Sequence, residues 1–263
     1  MTTSTSKEPR RFAPLRIGAD GFDGVPKLKG IVFDMDGTLC IPQNYMFAEM
    51  RSALGITKSV DILDHIYSLT PAQQPEAHEK IRAIERNAMS SQMPQPGLVS
   101  LMTYLESKDI PKGICTRNFE TPVNHLLGKF LEGKKFEPIV TREFRPPKPH
   151  PAGILSIAKA WGLVKDEKAE EGDAGQLIMV GDSIDDMTAG YRAGAATVLL
   201  VNEVNAHLAE HEHTDLCISR LDELVEVLEK GFVGRIGKGE EGSDTKGRAE
   251  GVLREGVGES TLK

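Results

Sequence analysis

The segment GIVFDMDGTL, residues 30–39, joins a short apolar run to two carboxylates. The apolar part is typical of a strand buried in a parallel sheet, and the glycine and threonine that follow indicate a turn. Polar side chains at the carboxyl end of such a strand lie where an open α/β sheet forms its ligand crevice. Asp34 and Asp36 are therefore candidate functional residues.

Two carboxylates this close together repel each other, and no lysine or arginine occurs in the eleven residues that follow them. Hard oxygen ligands suit Mg²⁺, and the charge of that ion offsets theirs. Aspartate and glycine are also common where an ordinary strand ends in a turn. The segment alone therefore predicts a metal site and leaves a purely structural turn as the alternative.

The composition of the 263-residue chain, 39% hydrophobic and 27% charged, is that of an ordinary globular protein. A formal net charge of −7 and the lack of a basic stripe with aromatics argue against a nucleic-acid partner. No apolar run is long enough to span a bilayer, so we expect no membrane partner. Three cysteines without paired spacing indicate a reducing compartment, and we expect a cytoplasmic monomer or weak dimer. The basic segment 1–20 leaves a mitochondrial presequence as the alternative.

Alternating strand and helix patterns predict an α/β fold, a Rossmann-like three-layer sandwich around a central parallel sheet. The predicted strands are 30–34, 112–116, 137–141, 176–181, 196–201 and, more weakly, 215–218. The predicted helices of this core lie near 97–107, 119–131, 151–162, 185–194 and 221–230.

One stretch, residues 43–94, lacks a strand pattern and follows the first core strand directly. It predicts three helices with cores at 45–54, 59–68 and 76–89. A helical insertion at this point is placed to close over the strand end as a lid, or cap.

The predicted organisation is a leader, a core in two segments, an inserted cap and a tail. These correspond to residues 1–26, 27–42 with 95–230, 43–94 and 231–263. The leader and the tail are polar, so we expect both to be disordered. Residues 165–175 are acidic and predict a surface loop.

Three later strand ends also carry polar side chains. Their candidate residues are Thr116, Arg117 and Asn118 after the second strand, the proline-flanked Lys148 after the third, and Asp182, Asp185 and Asp186 after the fourth. Because the carboxyl ends of parallel strands meet at one edge of a sheet, these groups are expected to lie near Asp34. Arg142 and Arg145 are either substrate contacts or part of a solvated rim.

DMDGTL, a strand-terminal threonine, a proline-flanked lysine and GDSIDD, in this order, resemble the four motifs of the haloacid dehalogenase superfamily. The resemblance covers roughly residues 28–230, and the helical insertion is similar to that superfamily's type 1 cap. It implies phosphoryl transfer to Asp34 as nucleophile, with Asp36 as general acid and base. Thr116 and Lys148 are then catalytic residues that bind the phosphoryl group.

The same resemblance implies a Mg²⁺ cofactor held by Asp34, by Asp36 through its backbone carbonyl and by Asp182. Asp186 is counted with these metal residues, and it either holds a metal-bound water or orients Lys148. The implied substrate-binding residues are Thr116, Arg117, Asn118 and Lys148. A functional role for Asp185 is doubtful, because the favourable interaction with the helix dipole is enough to explain an acidic residue in the first turn of a helix.

The aspartate at position 36 distinguishes the branches of the superfamily. Dehalogenases lack an aspartate there, phosphonatases have alanine and P-type ATPases have threonine. The favoured reading is therefore a Mg²⁺-dependent phosphatase that hydrolyses a small-molecule phosphate monoester through an aspartyl-phosphate. A phosphomutase of the β-phosphoglucomutase type shares the cap and the core motifs and stays open. A regulatory binding protein on the same fold is the remaining alternative.

Overall fold

The computed structural model describes residues 10–234 except 17, 19–20, 44 and 164–173. Its strands are β1 (Arg11–Phe12), β2 (Gly30–Phe33), β3 (Lys112–Cys115), β4 (Ile139–Val140), β5 (Leu177–Gly181), β6 (Ala196–Leu200), β7 (Leu216–Ile218) and β8 (Phe232–Val233). Its α-helices are α1 (Tyr45–Leu54), α2 (Ile62–Ser68), α3 (Gln74–Met89), α4 (Leu98–Ser107), α5 (Glu120–Phe130), α6 (Ala152–Ala160), α7 (Ile184–Ala193) and α8 (Glu223–Lys230). A 3₁₀-helix, Ala206–Glu210, was not predicted.

Six parallel strands form the central sheet, in the order β4-β3-β2-β5-β6-β7. The predicted α/β fold with a central parallel sheet is therefore confirmed, and the core elements begin and end within two residues of the predicted positions. The chain leaves β2 toward β3 and β4 on one side and returns to β5 on the other. The carboxyl ends of β2 and β5 thus form the topological switch point, where such sheets bind ligands.

Both faces of the sheet are covered, as the residues of β2 show. Ile31 and Phe33 belong to a buried cluster with side chains of α4, α5 and α8, whereas Val32 belongs to a second cluster with side chains of α6 and α7. The alternation follows from the two-residue period of a strand. Burial on both faces explains why this segment is continuously apolar.

Helices α1–α3, which we call the cap, have an apolar cluster of their own that includes Met46, Met50 and Ile66. Helix α2 begins at Ile62, later than predicted, because the side chain of Asp61 caps it. That carboxylate accepts hydrogen bonds from the backbone N–H groups two and three residues later.

The predicted disorder of the whole leader and tail is wrong for the parts that the structure describes. Strand β1 pairs antiparallel with β8, and the rings of Phe12 and Phe232 pack with their centroids 5.6 Å apart. Both rings are buried. The average composition of each segment is polar, but each segment contains one phenylalanine that is buried in the structure, and the average does not show it.

The remaining parts of these segments, 1–9 and 235–263, and most of the expected acidic loop at 165–175 lie outside the described residues. Among the helices that the structure describes, none has the length and apolarity needed to cross a membrane.

Candidate active site

The strand ends place the predicted polar residues at one edge of the sheet. Lys148, on the loop after β4, lies between two carboxylates: its Nζ is 2.6 Å from Asp34 Oδ1 and 2.5 Å from Asp186 Oδ1. Asp34 directly follows β2 and Asp182 directly follows β5. With Thr116 at the end of β3, all of these side chains line one cavity.

Asp186 is held by the start of helix α7. Its Oδ2 accepts hydrogen bonds from the backbone N–H and the hydroxyl of Ser183, at 3.1 and 2.6 Å. The Ser183 oxygen in turn accepts a bond from the Asp186 N–H, which completes a capping box. The cap occupies Oδ2 and leaves Oδ1 for Lys148, so local helix chemistry fixes the orientation of this carboxylate.

Gly37 allows the turn after β2 to approach the end of β5. Its φ of +86° is in the left-handed region, and a Cβ at this position would lie 2.1 Å from Asp182 Oδ2. The glycine of the DMDGTL segment is therefore required both by the backbone conformation and by the position of Asp182.

Burial dominates the electrostatics of this carboxylate cluster. It raises the pKa of Asp34 to about 7, against the lowering effect of Lys148. Burial, together with the charges of Asp186 and Asp34, raises the pKa of Asp182 to about 8. Burial disfavours the charge on Lys148, but the carboxylates of Asp186 and Asp34 outweigh it and raise its pKa.

The cluster has the chemistry of a divalent metal site. Asp34, Asp182 and Asp186 each offer one carboxylate oxygen, and these oxygens lie within 4.8 Å of one another. One lysine contacts two of the three groups, so the cluster carries an excess of negative charge when all three carboxylates are ionised, and a bound cation would neutralise it. An all-oxygen donor set of this kind suits Mg²⁺. The expected contribution of Asp36 is its backbone carbonyl, which stays a prediction.

The side chain of Asp36 is not one of the three clustered carboxylates, and it is hydrogen-bonded to a residue that follows β3. Its Oδ2 accepts a 2.8 Å hydrogen bond from Asn118 Nδ2. Burial raises the pKa of Asp36, and the bond from Asn118 opposes that effect. A raised pKa favours the protonated form of this carboxyl group, which is the form that a proton donor needs.

The guanidinium of Arg117, which is expected to bind substrate, forms a bridge between the cap and the core. Its Nη2 donates to both carboxylate oxygens of Asp61, at 2.8 and 2.9 Å, and its Nη1 donates to Asp185 Oδ2 at 2.7 Å. Asp185 therefore has an ion-pair partner and is not part of the carboxylate cluster. Arg117 still lines the cavity, but two carboxylates already neutralise its charge.

The cavity between cap and core has a volume of about 930 Å³, which lies within the range of small-molecule sites. Its floor consists of the strand-end residues described above. The cap contributes an apolar wall, formed by Met46, Met50, Ile62, Leu63 and Ile81. It also contributes two cationic side chains, Arg51 and Lys58.

A second ion pair between cap and core, Glu85 with Arg142, was missed by the sequence analysis. The two side chains are 7% and 2% exposed. A signal for Glu85 is present in the sequence, since it interrupts the apolar stripe of α3 that contains Ala77, Ile81 and Ala88. No comparable pattern marks Arg142, whose place in the sequence fits a substrate contact and a solvated rim equally well.

Comparison with known proteins finds clear relatives. An uncharacterized hydrolase of Saccharomyces cerevisiae is 46% identical over 215 residues, which cover 80% of this chain and 94% of that protein. A haloacid dehalogenase-like hydrolase domain-containing protein of Arabidopsis thaliana is 37% identical over 185 residues, which cover 66% and 71% of the two chains.

Among solved structures, a β-phosphoglucomutase of Clostridium difficile aligns with a TM-score of 0.59 and 17% identity. The alignment covers 75% of this chain and 93% of that chain. At this level of identity the likeness shows a common fold. It does not show a common activity.

The model of the haloacid dehalogenase-like hydrolase family matches residues 28–194, more than half of the chain. The matched range contains all the strand ends that form the site and the whole cap. The motifs of the chain, its parallel sheet and its relatives all indicate the same family. The chain therefore belongs to the haloacid dehalogenase-like hydrolase family.

Proposed function

We propose that the protein is a Mg²⁺-dependent phosphatase that hydrolyses a small phosphorylated metabolite through an aspartyl-phosphate intermediate. The observation that carries the proposal is the position of Lys148 between Asp34 and Asp186, with Asp182 in the same cluster. This arrangement supplies a carboxylate nucleophile, a cation for the transferred phosphoryl group and oxygen ligands for a metal ion.

Asp34 acts as the nucleophile. Lys148 contacts Oδ1, so Oδ2 is the oxygen that attacks phosphorus in line with the leaving oxygen. A bond forms between Oδ2 and phosphorus while the bond to the leaving oxygen breaks. The Lys148 ammonium and the Thr116 hydroxyl neutralise or bind the phosphoryl oxygens during the transfer.

Asp36 moves the proton in both halves of the reaction. It first gives a proton to the leaving oxygen, and its raised pKa favours the protonated form that this step needs. It then takes a proton from the water that attacks the aspartyl-phosphate. This second step releases phosphate and restores the free carboxylate of Asp34.

Asp34, Asp182 and Asp186 would hold the Mg²⁺ ion, with Asp36 adding its backbone carbonyl. When bound, the ion supplies positive charge that offsets the charge of the nucleophile and of the phosphoryl group. The large, partly apolar cavity above the site supports a substrate whose leaving group extends well beyond the phosphate.

The test is phosphate release from a panel of phosphorylated metabolites, with and without Mg²⁺, for the wild type and for Asp34→Asn. We expect metal-dependent release that falls at least about a hundredfold in the variant, because the nucleophile is lost. Thermal unfolding of both proteins shows whether the variant is folded. Retention of a tenth of the wild-type activity would exclude Asp34 as the nucleophile. An isomerised product without phosphate release would favour the phosphomutase.

A further inference from the structure

The ion pair between Glu85 and Arg142 joins cap helix α3 to the loop that follows strand β4. Arg142 Nη2 donates to Glu85 Oε1, and both side chains are buried at the wall of the active-site cavity. The two residues are 57 positions apart in sequence. The contact therefore exists only while the cap is seated on the core.

The pair continues as a chain of polar contacts that reaches Asp36. The same Arg142 Nη2 lies 3.5 Å from Asn118 Oδ1, and Asn118 Nδ2 donates to Asp36 Oδ2 at 2.8 Å. Asn118 Oδ1 also accepts a 2.8 Å bond from the backbone N–H of Phe119. These contacts on Oδ1 orient the amide so that its N–H group faces Asp36.

Stability alone gives a poor reason for this pair. Within the described part of the chain, Glu85 Oε2 and Arg142 Nε and Nη1 are buried and have no hydrogen-bond partner. Desolvation of two charges costs free energy, and apolar residues of similar volume are often at least as stable in such a place. A buried glutamate on the apolar stripe of α3 therefore calls for a role in positioning.

We propose that Glu85 and Arg142 are positioning residues that align Asp36 through Asn118 when the cap is closed. The proposal rests on the function proposed above, in which Asp36 protonates the leaving oxygen. When α3 moves away, Arg142 loses its carboxylate partner and Asn118 loses a fixed contact on Oδ1. Proton transfer is thereby coupled to closure of the cap, which is also the state that excludes water from the site.

Another ion pair between the cap and the core, Arg82 with Glu143, provides a matched control. Arg82 Nη2 of the same helix lies 3.5 Å from Glu143 Oε1 on the same loop, but the side chains are 38% and 68% exposed. Glu143→Ala removes a carboxylate that joins the same two segments without touching Asn118. A simple clamp between cap and core would weaken in both cases, whereas alignment of Asp36 depends on Glu85.

The experiment compares kcat/KM for two substrate types, because this quantity reports transfer to Asp34 and departure of the leaving group. An aryl phosphate with an acidic phenol needs little protonation, whereas an alkyl phosphate depends on the general acid. For Glu85→Ala we expect a loss of about 30-fold with the alkyl phosphate and less than about 3-fold with the aryl phosphate. Glu85→Gln keeps an acceptor oxygen and should recover most of the loss, and Glu143→Ala should change neither value.

Thermal unfolding of each variant is measured beside the kinetics. If Glu85→Ala fails to fold, Arg142→Lys takes the same comparison, since lysine keeps the charge but lacks the planar guanidinium that places Nη2 within reach of both partners. Equal losses with both substrates, or the same selective loss in Glu143→Ala, would overturn the positioning role and leave the phosphatase intact. A wild type that releases no phosphate from either substrate with Mg²⁺ would overturn the proposed function, and this role with it.

Discussion

Lys148 Nζ lies 2.6 Å from Asp34 Oδ1, although 114 residues separate the two in sequence. The strand order explains the contact, because only β3 separates β2 from the outermost strand β4, and the three parallel strands have their carboxyl ends on the same side of the sheet. The lysine contacts two of the clustered carboxylates, and none of the ion pairs among the described residues includes the third, Asp182. We therefore expect the charge of this cluster, and with it the free energy of unfolding, to depend on pH and on bound metal.

Without metal, the free energy of unfolding should fall as pH rises from about 4 to 8. The folded pKa values of Asp34 and Asp182 are about 7 and about 8, against 3.8 for an ordinary aspartate. Across this window the folded protein retains protons that the unfolded chain has released, so rising pH favours unfolding. Mg²⁺ at pH 8 should restore stability, because it binds the folded state. Urea unfolding at pH 5 and pH 8, in chelator and in Mg²⁺, measures both effects.

The variant Asp182→Asn tests whether the carboxylate cluster causes these effects of pH and Mg²⁺ on stability. It removes one clustered charge, so at pH 8 in chelator it should be more stable than the wild type by about 1–3 kcal/mol. It should also lose most of the stabilisation by Mg²⁺. Asp185→Asn is the control, because its carboxylate pairs with Arg117 outside the cluster. A full response to Mg²⁺ in Asp182→Asn would contradict the metal site.

Gly37→Ala should disturb the proposed metal site by a steric contact, although it replaces none of the proposed metal ligands. The added Cβ would lie 2.1 Å from Asp182 Oδ2, so the carboxylate must move. A displacement of this size can lower activity about a hundredfold. Gly133→Ala is the control, since its φ of +77° is similar and a Cβ there meets nothing within 4 Å. We expect the control to lose about 1–2 kcal/mol of stability and to keep its activity. Equal activities in the two variants would contradict the steric argument.

The strand ends were predictable because short-range patterns define them. An apolar run followed by Asp, Gly or Thr gives the strand, its end and its polar residue together, as at Asp34 and Asp182. The ion pairs between cap and core were not predictable. Arg117 meets Asp61 and Arg142 meets Glu85 only after the cap docks in one orientation, and no local pattern encodes that orientation.

Asp61→Asn should loosen the cap without unfolding it. Asparagine still caps α2, but the charge that faces Arg117 is lost. The pair is partly exposed, so the free energy of unfolding should change by less than about 1 kcal/mol. Hydrogen exchange of the α2 amides should become faster, and kcat/KM should fall severalfold. Asp64→Asn, in the first turn of the same helix, is the control; the same acceleration in it would indicate a helix effect instead.

Phe12→Ala should show how firmly the two ends of the described chain hold each other. The ring packs on Phe232 and is buried, so its removal should cost about 3–5 kcal/mol. Arg11→Ala, on the exposed side of the same strand, should change stability by less than about 0.5 kcal/mol. Urea unfolding of both variants measures the difference. A cost below about 1 kcal/mol for Phe12→Ala would contradict this argument and would mean that β1 adds little to stability.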